Sequence, residues 1–154
     1  MPNLKVAILL GSESDKEAMQ HCMKYLDWFG IDHEMKVLSA HRSPDATANF
    51  AKKAEGNGFA LVIAAAGMAA HLPGFVAANT LLPVIGAPLT SSELNGVDAL
   101  YTIVQMPPGV PVATVAIGAA GAKNAAVLAA EIIAMNNRRI RKKLQDFRKR
   151  GSKI

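Results

Sequence analysis

Cysteine, charge and long apolar runs are scarce in this chain, and each shortage excludes a class of protein. Cys22 is the only cysteine among 154 residues, which excludes an internal disulfide and a zinc site built from several thiolates. This usage fits a reducing compartment, so we expect a cytoplasmic protein. Prolines and glycines interrupt every apolar run before it reaches the ~20 residues of a membrane-spanning helix, so no membrane association is expected.

Charged side chains are almost absent from the middle of the chain. Between Gly56 and Ala122, only Glu93 and Asp98 carry a charge. A domain of this size cannot bury so many uncharged residues within itself and still present an ordinary polar surface. We therefore predict a homo-oligomer with large interfaces between its copies.

The net charge of +5 arises from the C-terminal tail. Residues 136–154 hold nine basic side chains and one acid, or +8, while the rest of the chain holds eight basic and eleven acidic side chains, or −3. A basic tail can bind nucleic acid. The sequence favours instead a basic helix at about 137–150 with a solvated face, because Ile140, Leu144 and Phe147 recur at helical spacing and no basic stripe continues elsewhere.

Strand and helix patterns alternate along the whole chain. Strands are predicted at 4–10, 33–39, 59–65, 82–86 and 112–117, and helices at about 14–29, from 43, at 72–80, 91–104 and 119–135. Ser14 and Glu17 have the spacing of a capping box for the first helix, and Asn95-Gly96 is a candidate break within the fourth. The alternation predicts one domain over residues 1–154, a three-layer α/β/α sandwich with a parallel sheet, flavodoxin-like or Rossmann-like.

Ligands bind such sheets at the carboxyl ends of the strands, where three unusual loops are expected to meet. In the first, Gly11, Ser12 and Ser14 offer backbone N–H groups and hydroxyls to an anion at a helix N-terminus. The loop lacks the lysine of a P-loop and the GxGxxG spacing of a dinucleotide site. Asp15 suits ribose hydroxyls better than a phosphate. A purely structural interpretation, in which the serines only cap the helix, stays open.

The other two loops each carry a histidine. Ser39, His41 and Arg42 end the second strand, where an arginine can bind a phosphate or carboxylate through two hydrogen bonds and a histidine can transfer a proton near neutral pH. The third loop, Ala64–Pro73, has small side chains that let its backbone approach a ligand. His71 within it is either a site residue or a histidine that only packs against its neighbours. His41 is likewise either a site residue or a turn histidine bonded to the backbone.

Other catalytic patterns are missing from the sequence. It has no cluster of Cys, His and carboxylates at metal spacing, no Gly-x-Ser-x-Gly and no evident Ser-His-Asp set. One imidazole, one arginine, one aspartate and several hydroxyls around a small anionic ligand favour proton transfer over hydrolysis or redox chemistry. We therefore expect no metal site.

Four motifs together resemble a known family. GSESD (11–15), SAHRSPD (39–45), AAGMAAHLPG (65–74) and GVDALYTIVQMPPGVPVATVAIG (96–118) are similar to segments of the bacterial 5-(carboxyamino)imidazole ribonucleotide mutases of purine (IMP) biosynthesis. The resemblance covers about residues 4–135. The chain departs from it at Met68, where many relatives have glycine or another small residue, and at Pro108.

The resemblance implies a reaction without cofactor, metal or ATP, in which a carboxylate moves from the exocyclic nitrogen of the substrate to carbon 4 of the imidazole. The family's proposed mechanism is decarboxylation, trapping of CO2 and recarboxylation, with a proton transferred by the histidine that matches His41. The residues that would bind the substrate, again by resemblance, are Gly11, Ser12, Ser14, Asp15, Ser39, Arg42, Ala66, Gly67, Ala70, His71 and Leu72. It further implies an octamer, and the upstream ATP-dependent carboxyaminoimidazole ribonucleotide synthase is an expected partner.

Three alternatives remain at this point. An animal-type relative carboxylates aminoimidazole ribonucleotide directly with CO2, although HLPG (71–74) and QMPPGVPV (105–112) fit the bacterial mutase better. A non-catalytic nucleotide-binding module would bind ligand without turnover. A nucleic-acid-binding protein would use the basic tail and lose salt-dependent binding on truncation after Met135.

Overall fold

A central parallel sheet organises the part of the chain that the computed structural model describes, residues 4–154. The strands are β1 (Lys5–Leu10), β2 (His33–Val37), β3 (Phe59–Ala66), β4 (Val84–Pro88) and β5 (Ala113–Thr114), and the helices are α1 (Lys16–Phe29), α2 (Pro44–Lys53), α3 (Leu72–Ala77), α4 (Val97–Val104), α5 (Gly118–Ala134) and α6 (Arg138–Lys149). Every strand pair is parallel, in the order β2-β1-β3-β4-β5. This order is that of the flavodoxin-like fold.

The sheet is covered by helices on both faces. Alternate residues of β1 point to opposite sides, so Val6 and Ile8 enter one hydrophobic core and Ala7 and Leu9 enter the other. The first core also contains buried residues of α1, α5 and α6, and the second contains those of α2, α3 and α4. The predicted three-layer α/β/α sandwich is confirmed.

Several predicted boundaries were wrong. The fourth strand begins two residues late, at Val84, after a proline that has no N–H to donate. The candidate break at Asn95-Gly96 is confirmed: the fourth helix begins at Val97, because Asn95 (φ 52°) and Gly96 (φ 88°) both take left-handed conformations that a helix cannot include. The fifth strand has two residues rather than six, the second ends at Val37 and the third helix ends at Ala77.

The basic tail packs against the body of the protein. Ile140 and Phe147 are buried, and the Phe147 ring lies 5.3 Å from that of Phe29 on α1. Several of its cationic side chains contact other residues of the same chain. Arg139 donates to the carbonyl of Gly30 at 2.9 Å, which satisfies the C-terminal end of α1.

Two further cations of the C-terminal tail lie over an aromatic ring, and a third forms an ion pair. The Lys143 Nζ lies 5.1 Å from the centroid of Trp28, and the Arg150 guanidinium carbon lies 6.0 Å from it. Arg148 pairs with Glu131 at 2.8 Å. These contacts agree with a docked helix that has a solvated face. Among residues 4–154, no helix combines the length and apolar character needed to cross a bilayer.

Candidate active site

A cleft of about 360 Å3 opens at the carboxyl ends of β1, β2, β3 and β4. From β1 the chain first adds β2 on one side and then β3 on the other, so the order of strands reverses between β1 and β3. Loops diverge at such a switch point and leave a crevice there. The cleft therefore lies where the sheet topology requires it.

All twelve residues predicted for the site line this one cleft. They come from the carboxyl end of β3, the loops after β1, β2 and β3, and the first residue of α3: Gly11, Ser12, Ser14, Asp15, Ser39, His41, Arg42, Ala66, Gly67, Ala70, His71 and Leu72. The structure thus brings together the whole set, and leaves none elsewhere.

The loop after β1 is closed by a carboxylate. Ser12 N–H donates to Asp15 Oδ2 at 3.0 Å across a 3-10 turn at Glu13–Asp15, so the capping interaction joins these two residues rather than the predicted Ser14 and Glu17. The Ser12 amide is consequently not available to an anion, and Gly11 N–H already donates to Ala65 O at 3.2 Å. The hydroxyls remain, with Ser14 Oγ donating to Ser12 Oγ at 3.1 Å.

Asp15 is the one buried carboxylate of the cleft, with 5% of its surface exposed. Burial raises the pKa of this carboxyl above its usual value, and the hydrogen bond from the Ser12 amide acts in the opposite direction with a smaller effect. Its second oxygen is free to accept from a ligand hydroxyl, since only Oδ2 is bonded to the Ser12 amide.

The loop after β2 is built on hydrogen bonds around Ser39. Its Oγ accepts from the Arg42 N–H at 3.1 Å, and its carbonyl accepts from Ser43 Oγ at 3.0 Å and Thr47 Oγ1 at 3.2 Å. The Ser43 hydroxyl therefore does not cap α2, although Ser43 stands at the predicted N-cap position. His41 and Arg42 project from this turn and are exposed, and Arg42 forms no ion pair with any residue of the described chain.

The loop after β3 is shaped by close contact and an unusual backbone. Met68 (φ 53°) and Ala70 (φ 25°) both have positive φ, a region in which glycine alone carries no steric cost. A Cβ atom added to Gly67 would lie 1.6 Å from Ser91 Oγ, so no other residue fits there without displacing Ser91. The departure from the family pattern at Met68 thus falls on a left-handed position that favours glycine.

The two histidines of the cleft face each other. The rings of His41 and His71 are stacked, with centroids 4.9 Å apart and planes 28° apart, and His71 lies 5.5 Å from the ring of Phe75 on α3. His41 is therefore not a turn histidine bonded only to its own backbone. Its ring is held over the cleft by the ring of His71.

The charges in the cleft are few. Arg42 is its single permanent cation and Asp15 its single carboxylate, and the two histidines are the other titratable groups. No group of three or more potential metal ligands occurs within residues 4–154. Such a site can bind an anionic ligand, accept hydrogen bonds from hydroxyls and transfer a proton.

Four lining residues were absent from the sequence prediction: Ala40, Met68, Ala69 and Ser91. The first three lie within the motifs SAHRSPD (39–45) and AAGMAAHLPG (65–74), so their positions in the chain bring them to the cleft. Ser91 follows β4, a strand end that no motif had marked. Its signal was only its position a few residues after a buried strand.

Comparison with known proteins places the chain among relatives of one kind. It is 52% identical to the N5-carboxyaminoimidazole ribonucleotide mutase of Escherichia coli (strain K12) over 94% of this chain and 86% of that protein. It is 53% identical to the enzyme of the same name from Pyrococcus abyssi, over 94% and 82%. The crystal structure of Treponema denticola PurE is similar with a TM-score of 0.87 at 30% identity, covering 96% of this chain and 91% of that one.

The family model described as AIR carboxylase matches residues 5–153, nearly the whole chain. The sequence motifs, the strand order and this match agree with one another. The chain belongs to the AIR carboxylase family.

Proposed function

We propose that this protein is a mutase of purine biosynthesis that converts 5-(carboxyamino)imidazole ribonucleotide into its isomer carboxylated at carbon 4. The observation that carries the proposal is the cleft itself, in which an unpaired Arg42, the buried Asp15 and the stacked His41 and His71 converge. Identity of about half the residues with enzymes of that name supports it.

Arg42 would bind the phosphate of the ribonucleotide. Its guanidinium is exposed, forms no ion pair with any described residue and can donate two parallel hydrogen bonds to phosphate oxygens. The hydroxyls of Ser12, Ser14 and Ser39 line the same cleft and are suited to the remaining oxygens. Asp15, between the loops that bear Arg42 and Gly67, is suited to accept hydrogen bonds from the ribose.

The chemistry would take place against the loop after β3. The bond from the exocyclic nitrogen to the carboxyl carbon breaks, which releases CO2, and the nitrogen takes up the proton carried by His41. Carbon 4 of the ring then attacks the CO2 and loses its proton to His41. These steps exchange one bond to carbon for another without net oxidation, so they need no redox cofactor and no ATP.

The walls of the cleft suit an intermediate as small and neutral as CO2. Gly67, Ala70 and Leu72 contribute no charged group, and Ala70 and Leu72 are buried. A water-poor pocket favours recombination of CO2 over its escape. The histidine stack lets His41 receive a proton close to the base.

We further propose that the working protein is a cytoplasmic homo-octamer. A row of exposed apolar side chains follows one side of α4 and the turn before it: Leu94, Val97, Tyr101 and Val104, exposed by 63%, 44%, 65% and 47%. Exposed apolar patches of this kind mark contacts with other proteins. The octamer rests on the family resemblance, as does the upstream ATP-dependent synthase as a partner that supplies the substrate.

Direct carboxylation of aminoimidazole ribonucleotide is the second candidate, because the matching family model carries that activity in its description. The experiment supplies the purified protein with the N-carboxylated ribonucleotide in one reaction and with aminoimidazole ribonucleotide plus labelled bicarbonate in another. A mutase forms product in the first and incorporates little label from bicarbonate added to that reaction. Product only in the second reaction establishes a carboxylase, and binding without product in either establishes a nucleotide-binding module.

A further inference from the structure

Ser91 lines the cleft from the loop after β4, a fourth strand end. β4 pairs with β3 up to Pro88 opposite Ala66, and the N–H of Leu89 then donates to the Ala66 carbonyl at 3.0 Å. The two loops therefore leave the sheet side by side. Ser91 is held near the loop after β3 by the register of the sheet.

The Ser91 side chain fills the space that Gly67 leaves open. A Cβ at Gly67 would lie 1.6 Å from Ser91 Oγ and 2.9 Å from Ser91 Cβ. The Ser91 hydroxyl thus lies directly against the backbone of the loop after β3. In the proposed reaction this loop surrounds the imidazole and the carboxyl group in transit.

The neighbouring serine has a different role. Ser92 Oγ donates to Asp98 Oδ1 at 2.9 Å and accepts from the Leu94 N–H at 3.2 Å, which fixes the turn before α4. The Ser91 hydroxyl makes no hydrogen bond with any residue between 4 and 154. It can therefore bond to a ligand without breaking an internal contact.

Strand order separates Ser91 from the cation of the cleft. Arg42 follows β2 and Ser91 follows β4, with β1 and β3 between them. Three strand spacings amount to roughly 14 Å. A ribonucleotide whose phosphate lies at Arg42 extends its base toward the loops after β3 and β4.

We propose that Ser91 Oγ donates a hydrogen bond to the migrating carboxylate of the substrate and product, and so completes the cleft at the end opposite Arg42. The inference rests on the proposed function and assigns a residue to its carboxyl group. A neutral hydroxyl suits this role because it orients a carboxylate by one hydrogen bond but does not bind it as strongly as a cation would. The group can then leave the nitrogen as CO2.

The test compares Ser91→Ala with Ser92→Ala, using two ligands that differ only in the carboxylate: the C4-carboxylated product and aminoimidazole ribonucleotide. Ser91→Ala is expected to weaken binding of the carboxylated ligand about tenfold, the loss of one hydrogen bond to a charged group. Binding of the ligand without the carboxylate is expected to change by no more than about twofold. Ser92→Ala should lower the melting temperature and leave the ratio of the two affinities unchanged.

Equal weakening of both ligands, or of neither, would overturn the assignment. Ser91→Thr, which retains a hydroxyl, should keep the preference for the carboxylated ligand, and loss of that preference would also count against the proposal. The absence of turnover by the wild-type protein would refute the proposed function. The two binding ratios would still decide whether Ser91 contacts the carboxylate.

Discussion

The two histidine-bearing loops of the cleft are held in place by different forces. The loop after β2 depends on hydrogen bonds to Ser39, whose carbonyl accepts from two hydroxyls and whose own hydroxyl accepts from the Arg42 amide. The loop after β3 depends on contact, because Gly67 lies against Ser91 with no space for a methyl group.

This difference has consequences for how each loop tolerates change. A hydrogen-bonded turn loses one bond at a time, each worth about 1 kcal/mol. A close-packed turn must shift as a whole when an atom is added, at a cost of about 1–3 kcal/mol. The loop after β1, which lies between them in the sheet, offers a reference because a buried carboxylate closes it.

The largest effect is expected for His41→Asn. Loss of the proton carrier should lower kcat by about 100-fold or more while substrate binding changes little, because Arg42 and Asp15 are intact. His71→Asn should lower kcat less, since His71 contacts the ring of His41 rather than replacing it. Steady-state kinetics and direct binding measurements provide the comparison.

The exposed His21 of α1 provides the control, and His21→Asn should leave both parameters unchanged. Equal losses in His41→Asn and His71→Asn would mean that both loops contribute equally to proton transfer, contrary to the assignment.

Gly67→Ala should have the next largest effect. The added methyl displaces Ser91, destabilises the protein by about 1–3 kcal/mol and lowers kcat roughly tenfold. Chemical denaturation and turnover measure the two effects. Gly56→Ala is the matched control because its Cβ would meet its nearest atom at 3.7 Å. Wild-type activity in Gly67→Ala would show that the loop after β3 adjusts freely, and the contrast between the loops would be lost.

Asp15→Asn tests the reference loop through its dependence on pH. Because burial raises the pKa of Asp15, the folded state binds its proton more tightly than the unfolded state, and ionisation costs stability once the pH rises above the ordinary value of 3.8. The cost is complete above the folded pKa. The difference in melting temperature, Asp15→Asn minus wild type, should therefore become more positive as the pH rises from 4 to 7.

The same variant should bind the ribonucleotide roughly tenfold more weakly, since an amide replaces the anionic acceptor. The exposed Asp32 is the control, and Asp32→Asn should show no such trend in melting temperature. A difference between Asp15→Asn and wild type that stays constant with pH would contradict the effect assigned to burial.

Thr47→Val should have the smallest effect. The buried Thr47 hydroxyl lies 2.9 Å from the Ser43 carbonyl and 3.2 Å from that of Ser39, and its removal should cost about 1 kcal/mol and lower the rate two- to threefold. Thr102→Val removes a similar bond of 2.8 Å on the exposed face of α4 and should leave the rate unchanged. Thermal denaturation and kinetics of the two variants measure both changes. Equal rates in the two variants would show that the hydrogen bonds around Ser39 do not contribute to catalysis.

The sheet and the cleft could be predicted because their signals are local. β1 and β3 are short apolar runs buried on both faces, and the loops after them carry the polar motifs. Parallel strands bring such loops to one edge of the sheet, so the residues that line the cleft could be predicted from the sequence. The roles of individual residues depended on the family resemblance, since the spacing of His41 and Arg42 alone left a structural alternative open.

Other errors arose where the outcome depends on contacts that residue spacing does not show. The run after Pro111 reads as a strand of normal length, yet β5 is an edge strand that pairs only at Ala113 and Thr114. Ser12 with Asp15 and Ser14 with Glu17 have the same spacing, and the 3-10 turn selects the first pair. Ser91 stands in Thr-Ser-Ser, and only its contact with Gly67 distinguishes it from Ser92.

The position of Trp28 gives the protein a built-in optical probe. This residue is the only tryptophan of the chain and lies beneath Lys143 and Arg150, with the Phe147 ring 5.7 Å away. None of the residues that line the cleft touches it in these contacts. Its fluorescence therefore reports detachment of the C-terminal helix and not occupancy of the ligand site, so the two events can be followed separately in one sample.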